Sequence, residues 1–200
     1  FRARYVESDN EITFYLDFVS PYAWLAFAQL PAQLEGISCH VRYRPVLLGA
    51  LLRQYANPGP AGIPPKREWT YRHAEWLGHA QGTPLRMPQC HPFNPLPLLR
   101  LALACSDDGS INRFTADTIF RHVWEGGDDA LAPERIAALR ERLVAQLRTG
   151  AQVQERAKAL LRANTEAATA AGVFGVPTAV VDERAFFGVD GLPMLRAYLQ

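Results

Sequence analysis

The first 45 residues alternate between apolar runs and turn residues in a way that predicts strand, helix and strand. Residues 12–19 (ITFYLDFV) are β-branched, aromatic and apolar almost throughout, as expected for a strand buried in a central sheet. Ser20-Pro21 ends this strand and suits a helix start, because Ser is a favoured N-cap and Pro is favoured at the first helical position. The apolar residues 22–34 then predict a helix, and residues 39–44 (CHVRYR) alternate like a second strand before Pro45. This βαβ unit is expected to be parallel and right-handed.

The middle of the chain, residues 46–172, contains no convincing strand pattern. Residues 57–65 (NPGPAGIPP) have the composition of a loop. Trp69, Tyr71 and Trp76 stand at helical spacing, which is more typical of a core than of a substrate platform. Helical patterns recur at residues 66–80, 95–104, 111–125, 133–147 and 152–171.

The C-terminal residues predict a hairpin followed by a last helix. Residues 178–182 and 185–187 read as two short strands, and Asp190 is expected to cap a helix over 191–199. The order βαβ, helices, ββα predicts an α/β protein with a thioredoxin-like fold and a large all-helical insertion. The thioredoxin-like domain is then 10–45 plus 173–200, and the helical insertion domain is 46–172.

Composition and charge narrow the classes of partner. The chain has 200 residues, 48% of them apolar, and a formal net charge of +1, which suits one domain, or one with a sizeable insertion. That near balance of charge argues against a nucleic-acid or membrane-surface partner. No apolar stretch approaches the roughly 18 residues of a membrane span, and the first ten residues resemble no signal peptide.

Cysteine and histidine usage also bears on the expected chemistry. The three cysteines lack C-x-x-C spacing, so we expect no disulfide scaffold or structural zinc and favour a reducing cytoplasm. The five histidines show neither H-E-x-x-H nor clustered spacing, and we predict no metal site.

Ser20 is the strongest single candidate for chemistry. It stands where a strand ends and a helix begins, so backbone N–H groups and the helix dipole converge there on an anion. A thiolate bound at this point would gain the stabilisation that lowers thiol pKa values at helix N-termini. The alternative is a simple N-cap, worth about 1 kcal/mol of stability.

Pro177 is the second signal. Pro entering a strand is unusual because it cannot donate to the ladder. A cis Val176–Pro177 bond would leave the backbone of Val176 able to pair with an extended ligand. The alternative is an ordinary trans Pro at a strand start.

Six short motifs give the chain a resemblance to the 2-hydroxychromene-2-carboxylate isomerases, relatives of the kappa-class glutathione transferases and the DsbA-like oxidoreductases. In order along nearly the whole chain, these motifs are FVSPYAW at 18–24, RPVLLG at 44–49, IPPK at 63–66, HPFNPL at 91–96, FGVPT at 174–178 and FFGVDGL at 186–192. The resemblance implies a thioredoxin fold, a cis Pro177 and glutathione bound across the first helix and the Val176 edge.

The resemblance also implies which residues bind the thiol of glutathione. Ser20 and Ala23 stand where redox relatives carry C-P-x-C, so no disulfide can form there. The resemblance makes Ser20 the catalytic residue, donating a hydrogen bond to the glutathione thiolate. It places glutathione against a set of residues comprising Ser20, Lys66, Val176, Pro177, Phe187, Gly188, Val189 and Asp190. Asp190 would accept from the γ-glutamyl amino group, and Val189 replaces a residue that is polar in many relatives.

The resemblance also implies an acidic aromatic substrate, which needs a cation. Arg53 is the expected partner of its carboxylate, although it could equally be a solvated helix-end residue. The other expected substrate-binding residues are Asn57, Ile63, Pro64 and Asn94, of which Asn57 could instead form a turn.

The implied reaction interconverts 2-hydroxychromene-2-carboxylate and trans-o-hydroxybenzylidenepyruvate, with glutathione as cofactor. A kappa-like glutathione transferase and a non-catalytic glutathione- or peptide-binding module are the alternatives. Relatives are often dimers, so by analogy a homodimer is expected.

Overall fold

A computed structural model describes residues 10–200. Residues 1–9 lie outside the described residues, and the prediction that the chain starts without a signal peptide falls largely on them. The strands are β1 (Asn10–Leu16), β2 (Cys39–Pro45), β3 (Thr178–Val181) and β4 (Arg184–Phe187). The helices are α1 (Pro21–Gln33), α2 (Leu48–Gln54), α3 (Pro64–Gln81), α4 (Leu96–Leu103), α5 (Arg113–Trp124), α6 (Pro133–Arg142), α7 (Val153–Ala170) and α8 (Leu192–Leu199), with a 3₁₀ turn at Pro60–Gly62.

The sheet has the strand order β2-β1-β3-β4 and confirms the predicted thioredoxin arrangement. β1 pairs in parallel with β2 and antiparallel with β3, and β3 and β4 form the predicted antiparallel hairpin. The register pairs Tyr15 with Thr178. Continued by two residues, this register brings the end of β1 beside Val176 and Pro177, which is where the site is expected.

The hydrophobic core runs through the sheet, α1 and the helices of the middle segment. Phe14, Trp24, Phe27 and Phe120 are almost fully buried and belong to one cluster. The rings of Phe27 and Phe120 lie 5.1 Å apart, which joins α1 to α5. The division into two domains stays a prediction, since one core extends through both segments.

The middle segment differs from the sequence prediction in two places. Helix α2 was not predicted, because it is only seven residues long and no residue before it caps it with a side chain. Its first N–H group, that of Leu48, donates instead to the distant Asp17 carboxylate at 2.9 Å. The predicted helix 133–147 ends early, at Arg142. There the chain turns, so that Arg148 N donates to the Ala104 carbonyl at 2.9 Å.

No strand of the sheet comes from residues 46–172, as predicted. Tyr43 and Ile111 form one isolated bridge at the edge of β2. Within residues 10–200, no helix is long and apolar enough to cross a membrane.

Candidate active site

Ser20 caps helix α1, as the sequence predicts. Its backbone is extended (φ −93°, ψ 117°), and its Oγ accepts a hydrogen bond from Ala23 N at 3.1 Å. Because the oxygen is used as an acceptor, the hydroxyl hydrogen is left to donate. Ser20 is only 6% exposed, so an anion bound there would be largely withdrawn from water.

The first turn of α1 leaves one further donor for an anion. Pro21 has no N–H group, Ala23 N donates to Ser20 Oγ, and Ser20 N donates to the Asp17 carbonyl at 3.1 Å. The hydrogen bonds within residues 10–200 leave Tyr22 N–H without an acceptor. Two donors, Ser20 O–H and Tyr22 N–H, therefore remain at the positive end of the helix dipole.

The opposite wall of the site is the backbone before β3. The Val176–Pro177 peptide bond is cis, as predicted, and both residues are buried. Gly188 N donates to the Pro177 carbonyl at 2.9 Å, which holds the turn after β4 against this wall. Phe187, 46% exposed, packs against Phe174, with ring centroids 4.7 Å apart and an interplanar angle of 52°.

The prediction that Asp190 caps the last helix is wrong. Helix α8 begins at Leu192, with Gly191 as its N-cap and no side-chain hydrogen bond at the cap. The Asp190 carboxylate instead lies near Tyr22: burial raises the pKa of the Tyr22 hydroxyl, and the charge of Asp190 raises it further. The carboxylate is exposed and accepts no hydrogen bond from the described residues, so it is available to a ligand.

These walls enclose a cavity of about 520 Å³ between α1, α3 and the turn after β4. Tyr22 and His73 form one corner, where Tyr22 Oη lies 2.7 Å from His73 Nδ1. Six of the predicted glutathione-binding residues line the cavity: Val176, Pro177, Phe187, Gly188, Val189 and Asp190. Ser20, two residues before Tyr22 in the chain, is not among the residues that line the cavity.

The predicted substrate residues lie outside that cavity. Arg53 is exposed near the end of α2. Ile63 is the N-cap residue of α3, 44% exposed, and Pro64 and Lys66 are exposed in the first turn of that helix. Six of the eight predicted glutathione-binding residues thus share one cavity. Ser20 and Lys66, also predicted to bind glutathione, do not line it, and neither do the predicted substrate-binding residues.

The two predicted asparagines make local hydrogen bonds. Asn57 Oδ1 accepts from Gly59 N at 2.9 Å, which is the turn-forming alternative that the sequence left open. Asn94 Oδ1 accepts from Leu96 N at 3.1 Å at the start of α4.

Asp17 is a buried carboxylate that the sequence interpretation did not select. Its Oδ1 accepts from Val19 N at 3.2 Å and its Oδ2 from Leu48 N at 2.9 Å. Complete burial raises its pKa to about 7, more than these backbone hydrogen bonds lower it. A single charged residue within the apolar run 12–19 was the signal that could have identified it.

Two of the aromatic residues assigned to the core are exposed instead. Trp69 is 57% and Trp76 is 62% exposed, and His73 is stacked between them with interplanar angles of 13° and 14°. The buried face of α3 consists of the small residues Thr70, Ala74 and Gly78. Since large rings do not fit on that face, helical spacing alone assigned the tryptophans to the wrong side.

Comparison with known proteins identifies the family of this chain and proteins of similar sequence. The sequence profile of the DSBA-like thioredoxin domain family matches residues 11–200. 2-Hydroxychromene-2-carboxylate isomerase of Sphingobium xenophagum is 28% identical over 200 residues, covering 94% of this chain and 97% of the relative. Glutathione S-transferase kappa 1 of Rattus norvegicus is 27% identical over 203 residues, covering 92% of this chain and 88% of the relative.

A solved structure has the same fold. A 2-hydroxychromene-2-carboxylate isomerase superposes with a TM-score of 0.78 at 22% identity, over 94% of both chains. The fold predicted from the sequence is therefore found again in a chain with few identical residues.

Proposed function

This chain belongs to the DSBA-like thioredoxin domain family, and from that premise we propose that it is a glutathione-dependent isomerase. Its substrates would be 2-hydroxychromene-2-carboxylate and trans-o-hydroxybenzylidenepyruvate, which it would interconvert in aromatic degradation. Two relatives support this proposal, one named for that isomerisation and one named a glutathione transferase.

The observation that carries the proposal is the donor pair at the start of α1. Ser20 O–H and Tyr22 N–H meet at a helix N-terminus that contains no cysteine, so they can stabilise the thiolate of an external thiol. Catalysis then consists of holding a bound thiol in its nucleophilic form, ready to attack.

Glutathione would lie along the cavity with its cysteinyl unit against Val176. The buried main chain of Val176 would pair with the cysteinyl backbone, and Asp190 would accept from the γ-glutamyl amino group. The exposed, otherwise unbonded Asp190 carboxylate supports this orientation, because it offers the only carboxylate among the residues that line this cavity. Lys66 would contribute from the start of α3.

The reaction needs no net oxidation. The cyclic hemiketal of 2-hydroxychromene-2-carboxylate first opens: its ring C–O bond breaks, the hemiketal O–H becomes the ketone, and its proton passes to the phenol oxygen, which gives the cis enone. The thiolate then adds to the conjugated carbon of the enone, and the electrons of the carbon–carbon double bond pass to the carbonyl oxygen as an enolate. The former double bond is now single and rotates. The enolate then re-forms the double bond and expels the thiolate, so that glutathione is regenerated.

The carboxylate of the substrate would be held by Arg53. Asn57, Ile63, Pro64 and Asn94 would line the path to it, on the surface beside the cavity. We place the reaction in the cytoplasm, where the glutathione pool is kept reduced, and expect a homodimer by analogy with relatives.

The experiment is a spectrophotometric isomerisation assay with and without glutathione. We expect turnover that requires glutathione and consumes none of it. Ultraviolet difference spectra should show bound thiolate at a pH where free glutathione is mostly thiol. Glutathione-independent turnover, or no bound thiolate, would contradict the proposal.

A kappa-like glutathione transferase is the second candidate, favoured by the relative of that class. Such an enzyme would release the thioether conjugate, whereas the isomerase would expel the thiolate from it. Mass spectrometry of the products separates the two, because only a transferase depletes glutathione as product forms. Glutathione binding with neither product would indicate the non-catalytic module.

A further inference from the structure

The carbonyl of Val19, the residue before Ser20, is held by a histidine from the middle segment. His91 Nε2 lies 2.6 Å from this carbonyl oxygen. A carbonyl only accepts, so Nε2 carries the hydrogen, which assigns the Nε2–H tautomer to a neutral His91. Burial lowers the pKa of His91, which favours the neutral ring, more than the hydrogen bond to Val19 raises it.

Tyr71 on α3 holds the other nitrogen of the same ring. Its Oη lies 2.7 Å from His91 Nδ1 and 3.0 Å from the His91 carbonyl. With Nε2 protonated, Nδ1 accepts the hydrogen of the Tyr71 hydroxyl. The hydroxyl thereby fixes both the tautomer and the orientation of the ring.

The opposite side of the Val19–Ser20 peptide is fixed as well. Ser20 N donates to the Asp17 carbonyl at 3.1 Å, so both polar groups of this peptide are bonded. Just before it, the Phe18 carbonyl accepts from Trp124 Nε1 at 3.0 Å. The rings of Trp124 and His91 also lie 5.5 Å apart, so the two donors support each other.

We propose that His91, oriented by Tyr71, is a positioning residue that aims Ser20 O–H and Tyr22 N–H together at a bound thiolate. It acts through the Val19–Ser20 peptide and touches no reacting atom. A turn of that peptide would move the Ser20 side chain, because Cα of Ser20 is part of the peptide plane. This inference rests on the proposed binding of glutathione at Ser20.

The test compares the bound thiol in the wild type and four variants, His91→Leu, His91→Gln, Tyr71→Phe and His122→Leu. The pKa of bound glutathione is followed by thiolate absorbance against pH, and the affinity for S-methylglutathione, which cannot form a thiolate, by calorimetry. His122 is the matched control, since its buried Nε2 makes the same kind of bond, 2.7 Å from the Ala130 carbonyl.

We expect His91→Leu to raise the pKa of the bound thiol by about one unit, a roughly tenfold loss of thiolate below that pKa. The affinity for S-methylglutathione should stay within about twofold, because it depends on the Val176 and Asp190 side. The amide of His91→Gln can still donate and should restore most of the shift. Tyr71→Phe should give a smaller shift in the same direction, and His122→Leu none.

The outcomes distinguish the two proposals. A wild type that binds glutathione without forming thiolate, or binds none, overturns the proposed function and this role with it. Normal thiolate in the wild type and an unchanged pKa in His91→Leu overturn the positioning role alone. If His91→Leu does not fold, an unchanged pKa of the bound thiol in Tyr71→Phe overturns the positioning role. An equal loss of bound thiolate in His122→Leu overturns it as well.

Discussion

The joint between β1 and α1 and the surface segment 53–66 were both predicted from the sequence to carry chemistry, and they are built differently. In the joint, residues 17–20, the backbone groups from the Phe18 carbonyl to Ser20 N are bonded to the protein. In the segment 53–66, Arg53 and Lys66 are exposed, and Asn57 bonds only to its own turn.

The difference is one of preorganisation. Donors fixed in a buried joint act on a developing charge without first having to be ordered. An exposed guanidinium keeps its rotamer freedom and is screened by water, so its attraction for an anion is small. We therefore expect substitutions in the joint to have large effects and those in the segment 53–66 to have small ones.

The largest effect is expected for Asp17→Asn, on the pH dependence of stability. The folded pKa of Asp17 is raised to about 7 from 3.8, so in between the folded chain binds a proton that the unfolded chain does not. The free energy of unfolding should therefore rise as pH falls from 8 to 5, by about 3 kcal/mol from this group. Asp17→Asn should remove this increase, measured by urea unfolding across that range.

The difference between wild type and variant isolates Asp17 from the histidines. Burial lowers the pKa values of His91 and His122, so these residues reduce the free energy of unfolding as pH falls below their unfolded pKa, opposite to the effect of Asp17. Equal pH slopes in both proteins would mean that Asp17 is ionised normally.

Ser20→Ala is expected to be next. Losing a hydrogen bond to a charged thiolate is worth about 1.5–3 kcal/mol, so kcat/KM should fall roughly ten- to a hundredfold. The variant also loses an N-cap, worth about 1 kcal/mol of stability. Steady-state kinetics and thiolate absorbance measure the first effect, and urea unfolding measures the second.

Asn112→Ala is the matched control for the cap. Asn112 Oδ1 accepts from Thr115 N at 2.8 Å at the start of α5, so its removal costs a similar stability away from the cavity. If Asn112→Ala lost activity as Ser20→Ala does, the effect would be one of stability and not of thiolate binding.

Arg53→Gln should have a smaller effect. Because Arg53 is exposed, we expect at most about a fivefold loss of kcat/KM for a carboxylate substrate, with glutathione affinity unchanged. Isomerisation kinetics and glutathione titration measure the two quantities, with the exposed Arg162→Gln on α7 as a control for general charge. Equal weakening of both ligands would instead move Arg53 to the glutathione site.

The smallest effect is expected for the cysteines. Among residues 10–200, Cys39, Cys90 and Cys105 form no disulfide, and burial raises the pKa of Cys105 to about 11, so it stays a thiol. We expect no insulin reduction by the protein, and isomerase activity within about twofold of wild type when Cys39→Ser, Cys90→Ser and Cys105→Ala are combined. Reductase activity that is present in the wild type and lost in that variant would place the chemistry at a cysteine and not at Ser20.

The sequence by itself determined the fold, and its resemblance to a known family pointed to six residues that line the cavity. The apolar run 12–19, the Ser20-Pro21 joint and the hairpin at 178–187 are local patterns, and each formed as predicted to within about three residues. Ser20 and Pro177 were found as local signals at the ends of these elements, whereas the glutathione-binding role of residues 187–190 was predicted from the resemblance to a known family. Residues 176–177 and 187–190 line one cavity.

Only the tertiary structure decided what surrounds that site. Asp190 became available because α8 starts later than its sequence indicated, and the tryptophans of α3 faced outward because small residues fill its buried side. The bonds from His91 and Trp124 to the joint span 72 and 106 residues of chain. Such bonds leave no local pattern, since a carbonyl in the joint can accept from any donor that the packing of distant helices brings near it.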